Sequence, residues 1–100
     1  MNVETVVFRR WKDVGTIIAL FPELPADIFG RYCDAYERVG QHAGADYFGI
    51  IQQTFSVELH ECEDLIVELE NIGYDLRPIK RASQHHHERR RQTAREFAAC

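Results

Sequence analysis

No run in the chain approaches the ~18 consecutive apolar residues that a membrane span requires, so no membrane association is expected. The opening Met1-Asn2-Val3-Glu4-Thr5-Val6-Val7-Phe8 has no basic segment ahead of an apolar stretch, and no secretory signal is expected. Cysteine is sparse and odd in number. Cys33, Cys62 and Cys100 form no CxxC, which fits reduced thiols in a cytoplasmic protein better than a disulfide framework. Cys33 and Cys62 read as small hydrophobes. There is no internal repeat, no GxGxxG among Gly40, Gly44 and Gly49, and no recognisable serine or cysteine nucleophile motif. No cofactor and no catalytic set are therefore expected.

What is present is a chain of 100 residues with 45% hydrophobic and 28% charged side chains, the composition of one globular domain. Its net charge of -4 is unevenly laid out. Residues 1–79 hold six basic against fourteen acidic side chains, a net -8, and residues 80–100 hold six against two, a net +4. A chain this short has little room for both a core and a deep cleft, so an enzyme of this size would build its site at an oligomer interface.

Val3 to Trp11 is β-branched and aromatic and reads as a strand. Lys12-Asp13-Val14-Gly15 supplies a turn, and Thr16 to Phe21, apolar on both parities, is expected as the central strand of the sheet. Pro22 and Pro25 are expected to stop it, since neither offers a ladder donor. Residues 32–39 read as a third strand, with a short helix over 26–38 as the competing assignment. Gly40 to Asp46 has loop composition, and Tyr47 to Thr54 reads as a further strand. Ser56 is placed as the N-cap of a helix whose stripe runs through Leu59, Cys62, Leu65, Ile66, Leu69 and Ile72. Gly73 sits where a left-handed C-terminal cap belongs. Tyr74 to Ile79 is a last strand, placed at an edge by Pro78.

The expected class is α+β: a two-layer antiparallel sheet of four to five strands, in the order β-β-β-β-α-β, with one amphipathic helix on one face. Residues 1–81 form the compact domain. Residues 82–100 have almost nothing to bury and form a basic polar tail, helical or disordered.

Four places carry candidate chemistry. His42 and Asp46, with Gln41, share a glycine-bearing loop and are of the types that form a base and its orienting carboxylate; a turn with local backbone bonding accounts for the same residues. Cys33, His42, His60 and Cys62 include zinc-ligand atoms, but their spacing matches no zinc pattern, so no metal is expected. In the tail, Arg89, Arg90, Arg91 and Arg95, helped by Lys80 and Arg81, are of the type that contacts phosphates without sequence specificity. Only Phe97 is interleaved, which leaves base stacking unsupported. The acidic body suits a basic protein surface, with Trp11, Tyr32, Tyr36 and Tyr47 as aromatic anchors.

The runs Phe8-Arg9-x-Trp11-Lys12, Ala19-Leu20-Phe21-Pro22-Glu23, Val39-Gly40-Gln41-His42-x-x-Ala45-Asp46 and Leu69-Glu70-x-Ile72-Gly73-Tyr74-Asp75-Leu76 resemble a group of small uncharacterised bacterial proteins. The resemblance covers residues 5–81 and implies a setting in mobile genetic elements, where inhibitors of host systems and adaptors are common. It carries over no ligand and no catalytic residue.

The leading expectation is thus a non-enzymatic binding protein acting through its acidic body on a protein partner. A nucleic-acid-associated regulator using the tail and a small enzyme at His42 and Asp46 are the alternatives. An exposed strand edge invites self-association, and a homodimer is an expected arrangement.

Overall fold

The computed structural model describes residues 3–38 and 41–99. Val39, Gly40 and Cys100, where a strand end, a loop and a free thiol are expected, lie outside the described residues. The fold is α+β. Six strands, β1 (Val3–Trp11), β2 (Ile17–Pro25), β3 (Cys33–Glu37), β4 (Gln41–Ala45), β5 (Thr54–Ser56) and β6 (Asp75–Pro78), form one open sheet. Its order is β4-β3-β2-β1-β5, and β6 pairs with the other half of the same β1 edge. Helix α1 (Tyr47–Gln52) precedes β5, α2 (Glu63–Ile72) continues a 3-10 turn at Leu59–Cys62, and α3 (Gln84–Ala98) ends the described chain.

The alternation in β1 and β2 places one set of side chains on each face. Val6, Phe8, Ala19, Phe21 and Tyr36 meet Cys62, Leu65 and Leu69, the expected apolar stripe of α2. Val7, Ile18, Leu20, Cys33, Ala35 and Ala45 form the opposite face, against Tyr47, Ile50 and Ile51 of α1. Burial on both sides explains why Thr16 to Phe21 reads as apolar on both parities, and β2 is indeed internal to the sheet. α3 lies beside α1, with His87 edge-on to the Tyr47 ring at 4.8 Å. The Tyr47 hydroxyl accepts the Ala82 N–H at 2.8 Å, which fixes the chain entering α3.

Several local expectations are corrected. β2 does not stop at Phe21 but runs to Pro25 through a register shift, so the two prolines sit in an irregular stretch rather than ending the strand. Residues 41–45 form β4, paired with β3 in continuous register from Glu37↔Gln41 to Cys33↔Ala45, instead of a loop. Residues 47–52 are helical, and only Thr54–Ser56 of the expected strand pairs with β1. Ser56 ends β5 and is not an N-cap. The capping position belongs to Glu58, whose carboxylate and backbone form a reciprocal pair with Glu61. β6 runs parallel to β1, so the sheet is mixed rather than wholly antiparallel. Gly73 does close α2 at φ +121°, with its own N–H and that of Tyr74 returning to Leu69 O.

Candidate interaction surfaces

The residues singled out from sequence do not converge on one place. His42 is the second residue of β4 and Asp46 follows its end, so they stand four positions apart along the strand, about 13 Å. The imidazole of His42 instead meets the edge of the Tyr36 ring, its cross-strand neighbour, at 4.7 Å. Asp46 occupies the N-cap position of α1, and its carbonyl accepts the Ile50 N–H. No base and orienting carboxylate form there. The side chain of Gln41 lies outside the described residues.

Two of the expected aromatic anchors are occupied internally. The Trp11 indole N–H donates to the Glu37 carboxylate at 2.6 Å, tying β1 to β3. Tyr36 is buried and its hydroxyl donates to the Glu68 carboxylate of α2. Tyr47 is buried as well, whereas Tyr32 is exposed.

The thiols face opposite ways. Cys33 belongs to the α1 face of the sheet and Cys62 to the α2 face. Burial pushes the Cys33 thiol up to about 11, against the pull of nearby Arg90, and burial also raises Cys62. Both are protonated near neutral pH, which suits packing and not nucleophilic attack. Among the described residues no three His, Cys, Asp or Glu side chains are grouped to hold a metal ion, and no helix is long and apolar enough to cross a membrane.

The basic segment is a helix with a buried stripe, His87, Arg90 and Ala94, where almost nothing was expected to be buried. Arg90 Nε donates to Gly30 O at 2.8 Å, and its Nη1 donates to Pro22 O at 2.7 Å and reaches His87 Nδ1 at 2.8 Å. Arg90 is therefore held inside the protein through its Nε and Nη1. Arg89, Arg91 and Arg95 are exposed. Sequence reading missed this clamp. Its only signal is the three- and four-residue spacing of His87, Arg90 and Ala94, which ordinary hydrophobic periodicity does not register.

Arg9 was missed in the same way. Its guanidinium donates to Thr54 Oγ1, Ser56 Oγ, Ile51 O and Thr54 O, fastening β5 and the end of α1 to β1.

The acidic surface is concentrated on the 3-10 turn and α2. Glu58, Glu61, Glu63, Asp64 and Glu70 are exposed along it. Arg10 pairs with Glu61 at 2.9 Å, Lys80 with Glu58 at 3.1 Å, and Arg38 approaches Asp64 at 3.7 Å and Glu68 at 3.9 Å. Glu61 is held below the ordinary carboxylate range, first by the Glu58 backbone N–H and then by Arg10. A cleft of about 410 Å³ beside the turn is lined by Arg10, Thr16, Glu37, Arg38, Glu61 and Asp64. Its cations are already matched to carboxylates. On the outer side of α2, Glu63 and Glu70 have no ion-pair partner among the described residues, and exposed Val67 lies between them on the same side, Val67 and Glu70 standing at i+4 and i+7 from Glu63.

No protein-family model, no curated protein and no solved structure matches the chain.

Proposed function

We propose that the protein is a non-enzymatic binding protein that acts by protein–protein contact, as an inhibitor or adaptor, using the outer face of α2 to engage a basic partner surface. The observation that carries this reading is the Glu63–Val67–Glu70 stripe. Two carboxylates without internal partners flank an exposed apolar side chain on a rigid helix. The inner face of that helix is fixed by Leu65 and Leu69, so the stripe is presented without further ordering cost. The resemblance to small proteins of mobile elements fits such an accessory role.

A nucleic-acid-associated role for α3 has less behind it. Arg90 is withdrawn into the fold, and the three remaining arginines stand on one helix beside a single aromatic residue.

The test is affinity capture from lysate with the full chain and with Glu63→Lys/Glu70→Lys, each with and without nuclease. The reading predicts a protein partner retained by the parent chain after nuclease treatment and lost from the double variant. Equal capture by both chains, or capture abolished by nuclease, would contradict it.

A further inference from the structure

The two rims of the sheet differ in how far they are closed to other chains. On one rim, β5 and β6 share the outer edge of β1. β5 is only Thr54–Ser56, and β6 carries Asp75 and Arg77 and ends on Pro78. Short strands, charges and proline are what keep an edge from pairing with another chain. On the other rim β4 ends the sheet order, and among the described residues no strand lies beyond it. Gln41-His42-Ala43-Gly44-Ala45 contains no proline, lysine, arginine or carboxylate and keeps unbroken register with β3. His42, Ala43 and Gly44 are exposed.

The ladder fixes which backbone groups this rim offers. In an antiparallel sheet, residues bond alternately to one neighbouring strand and the other. The Trp11 N–H donates to Thr16 O, so Trp11, Arg9 and Val7 bond toward β2. Carried through the registers, Ala19 and Phe21 bond to Tyr36 and Asp34, and Cys33 and Ala35 bond to Ala45 and Ala43. His42 and Gly44 are left with N–H and C=O directed away from the sheet. The carbonyl of the next such residue, Asp46, is already taken by the Ile50 N–H. The open segment is therefore His42 to Gly44, centred on Ala43.

This segment is complementary to itself. Set antiparallel across a two-fold axis at Ala43, His42 of each strand lies opposite Gly44 of the other, and every outward N–H and C=O finds a mate. The imidazole then stands beside a residue without a side chain. Ala43 meets Ala43, with Cα atoms about 4.5 Å apart. None of these pairs brings like charges together.

We propose that two copies of this protein join edge to edge through β4, antiparallel across a two-fold axis at Ala43, so that their sheets become one. Each copy uses the same edge, so the contact is isologous and closes at a dimer. The axis stands perpendicular to the sheet. Both α2 helices, which pack on the Phe8 and Phe21 face, therefore come to lie on the same side. The dimer itself stands on β4. Its consequence, two Glu63–Val67–Glu70 stripes turned together toward one basic partner, rests on the reading of α2 as the docking face.

The test measures mass by light scattering over a concentration series. It compares the full-length parent with Ala43→Glu, Ala43→Lys and His42→Pro, with thermal melts confirming that each variant folds. The parent is expected to reach dimer mass and no more. Either Ala43 variant sets like charges face to face across the axis. His42→Pro removes an outward donor and leaves the β3 ladder intact. Each variant alone is expected to be monomeric. An equal mixture of the two Ala43 variants sets opposite charges across the axis, and is expected to recover dimer mass, more fully at low salt than at high. A parent that stays monomeric overturns the proposal, as does a parent that grows beyond dimer, any folded variant that alone dimerises as the parent does, or a charge mixture that remains monomeric. A monomeric parent that still loses its lysate partner on Glu63→Lys/Glu70→Lys removes the dimer and leaves the α2 docking face standing.

Discussion

Arg90 shows how one side chain decides the placement of a whole helix. Its guanidinium satisfies two main-chain carbonyls, Pro22 O and Gly30 O, at the irregular end of β2 and in the following loop. Both belong to stretches that have no regular ladder partner, and buried carbonyls left open are costly. Arg90→Ala is expected to lower stability by about 3 kcal/mol, read as a shifted denaturant midpoint. His87 is linked to the same clamp. Burial first, and the Arg90 charge second, lower its pKa from 6.5 to about 4. The unfolded chain thus takes up a proton below 6.5 that the folded chain resists until about 4. Stability conferred by neutral His87 is complete above 6.5 and declines as pH falls toward 4. Melting curves across that window should show the decline, and His87→Gln, which keeps an acceptor for Arg90 but does not titrate, should flatten it. At Thr5 the sign is reversed. Its hydroxyl is buried without a hydrogen-bond partner, so Thr5→Val is expected to raise stability by about 1 kcal/mol, measured in the same denaturation assay.

At the scale of elements, legibility followed the strength of local pattern. β1, β2, β6 and the α2 stripe were readable because their apolar spacing coincides with the face they bury. β4 was not, because Gln41-His42-Ala43-Gly44-Ala45 has no β-branched residue; it is a strand through pairing with β3 alone. Tyr47 to Gln52 failed the other way. Its aromatic and β-branched residues suggest a strand, yet Tyr47, Ile50 and Ile51 at three- and four-residue spacing fit the sheet face as a single helical turn and a half. The candidate site divides similarly. The acidity of the α2 segment was visible in sequence, but the pairing of Glu58, Glu61 and Asp64 with Lys80, Arg10 and Arg38, which leaves Glu63 and Glu70 outward, depends on long-range contacts. The junction of loop and α3 offers an element-scale prediction. Gly30 has φ +72°, and an added Cβ would lie 2.9 Å from the Arg91 backbone. Gly30→Ala should loosen α3 and cost about 1–3 kcal/mol, with amide exchange accelerated in 84–98 and unchanged in β1.

At the scale of the molecule, the charge division seen along the sequence becomes a division in space. The net -8 of residues 1–79 is most concentrated on the outer side of α2, and the net +4 of residues 80–100 is split evenly between Lys80 and Arg81 and the α3 helix across the sheet, where four arginines are offset by Glu88 and Glu96. The basic segment is not a free tail, since Arg90, His87 and Ala94 fasten it to β2 and the loop that follows. The sheet thereby holds two oppositely charged helices apart, each presenting apolar side chains at its charged surface. Among the described residues Cys33 is buried and protonated, Arg90 is engaged inside the fold, and His42 and Asp46 stand apart along β4. The most direct measurement is the affinity of a purified captured partner for the parent chain and for Glu63→Lys/Glu70→Lys, by titration calorimetry at low and high salt. The account predicts a loss of about tenfold or more in the variant at low salt, narrowing as salt rises. Equal affinities for the two chains at both salt concentrations would contradict it.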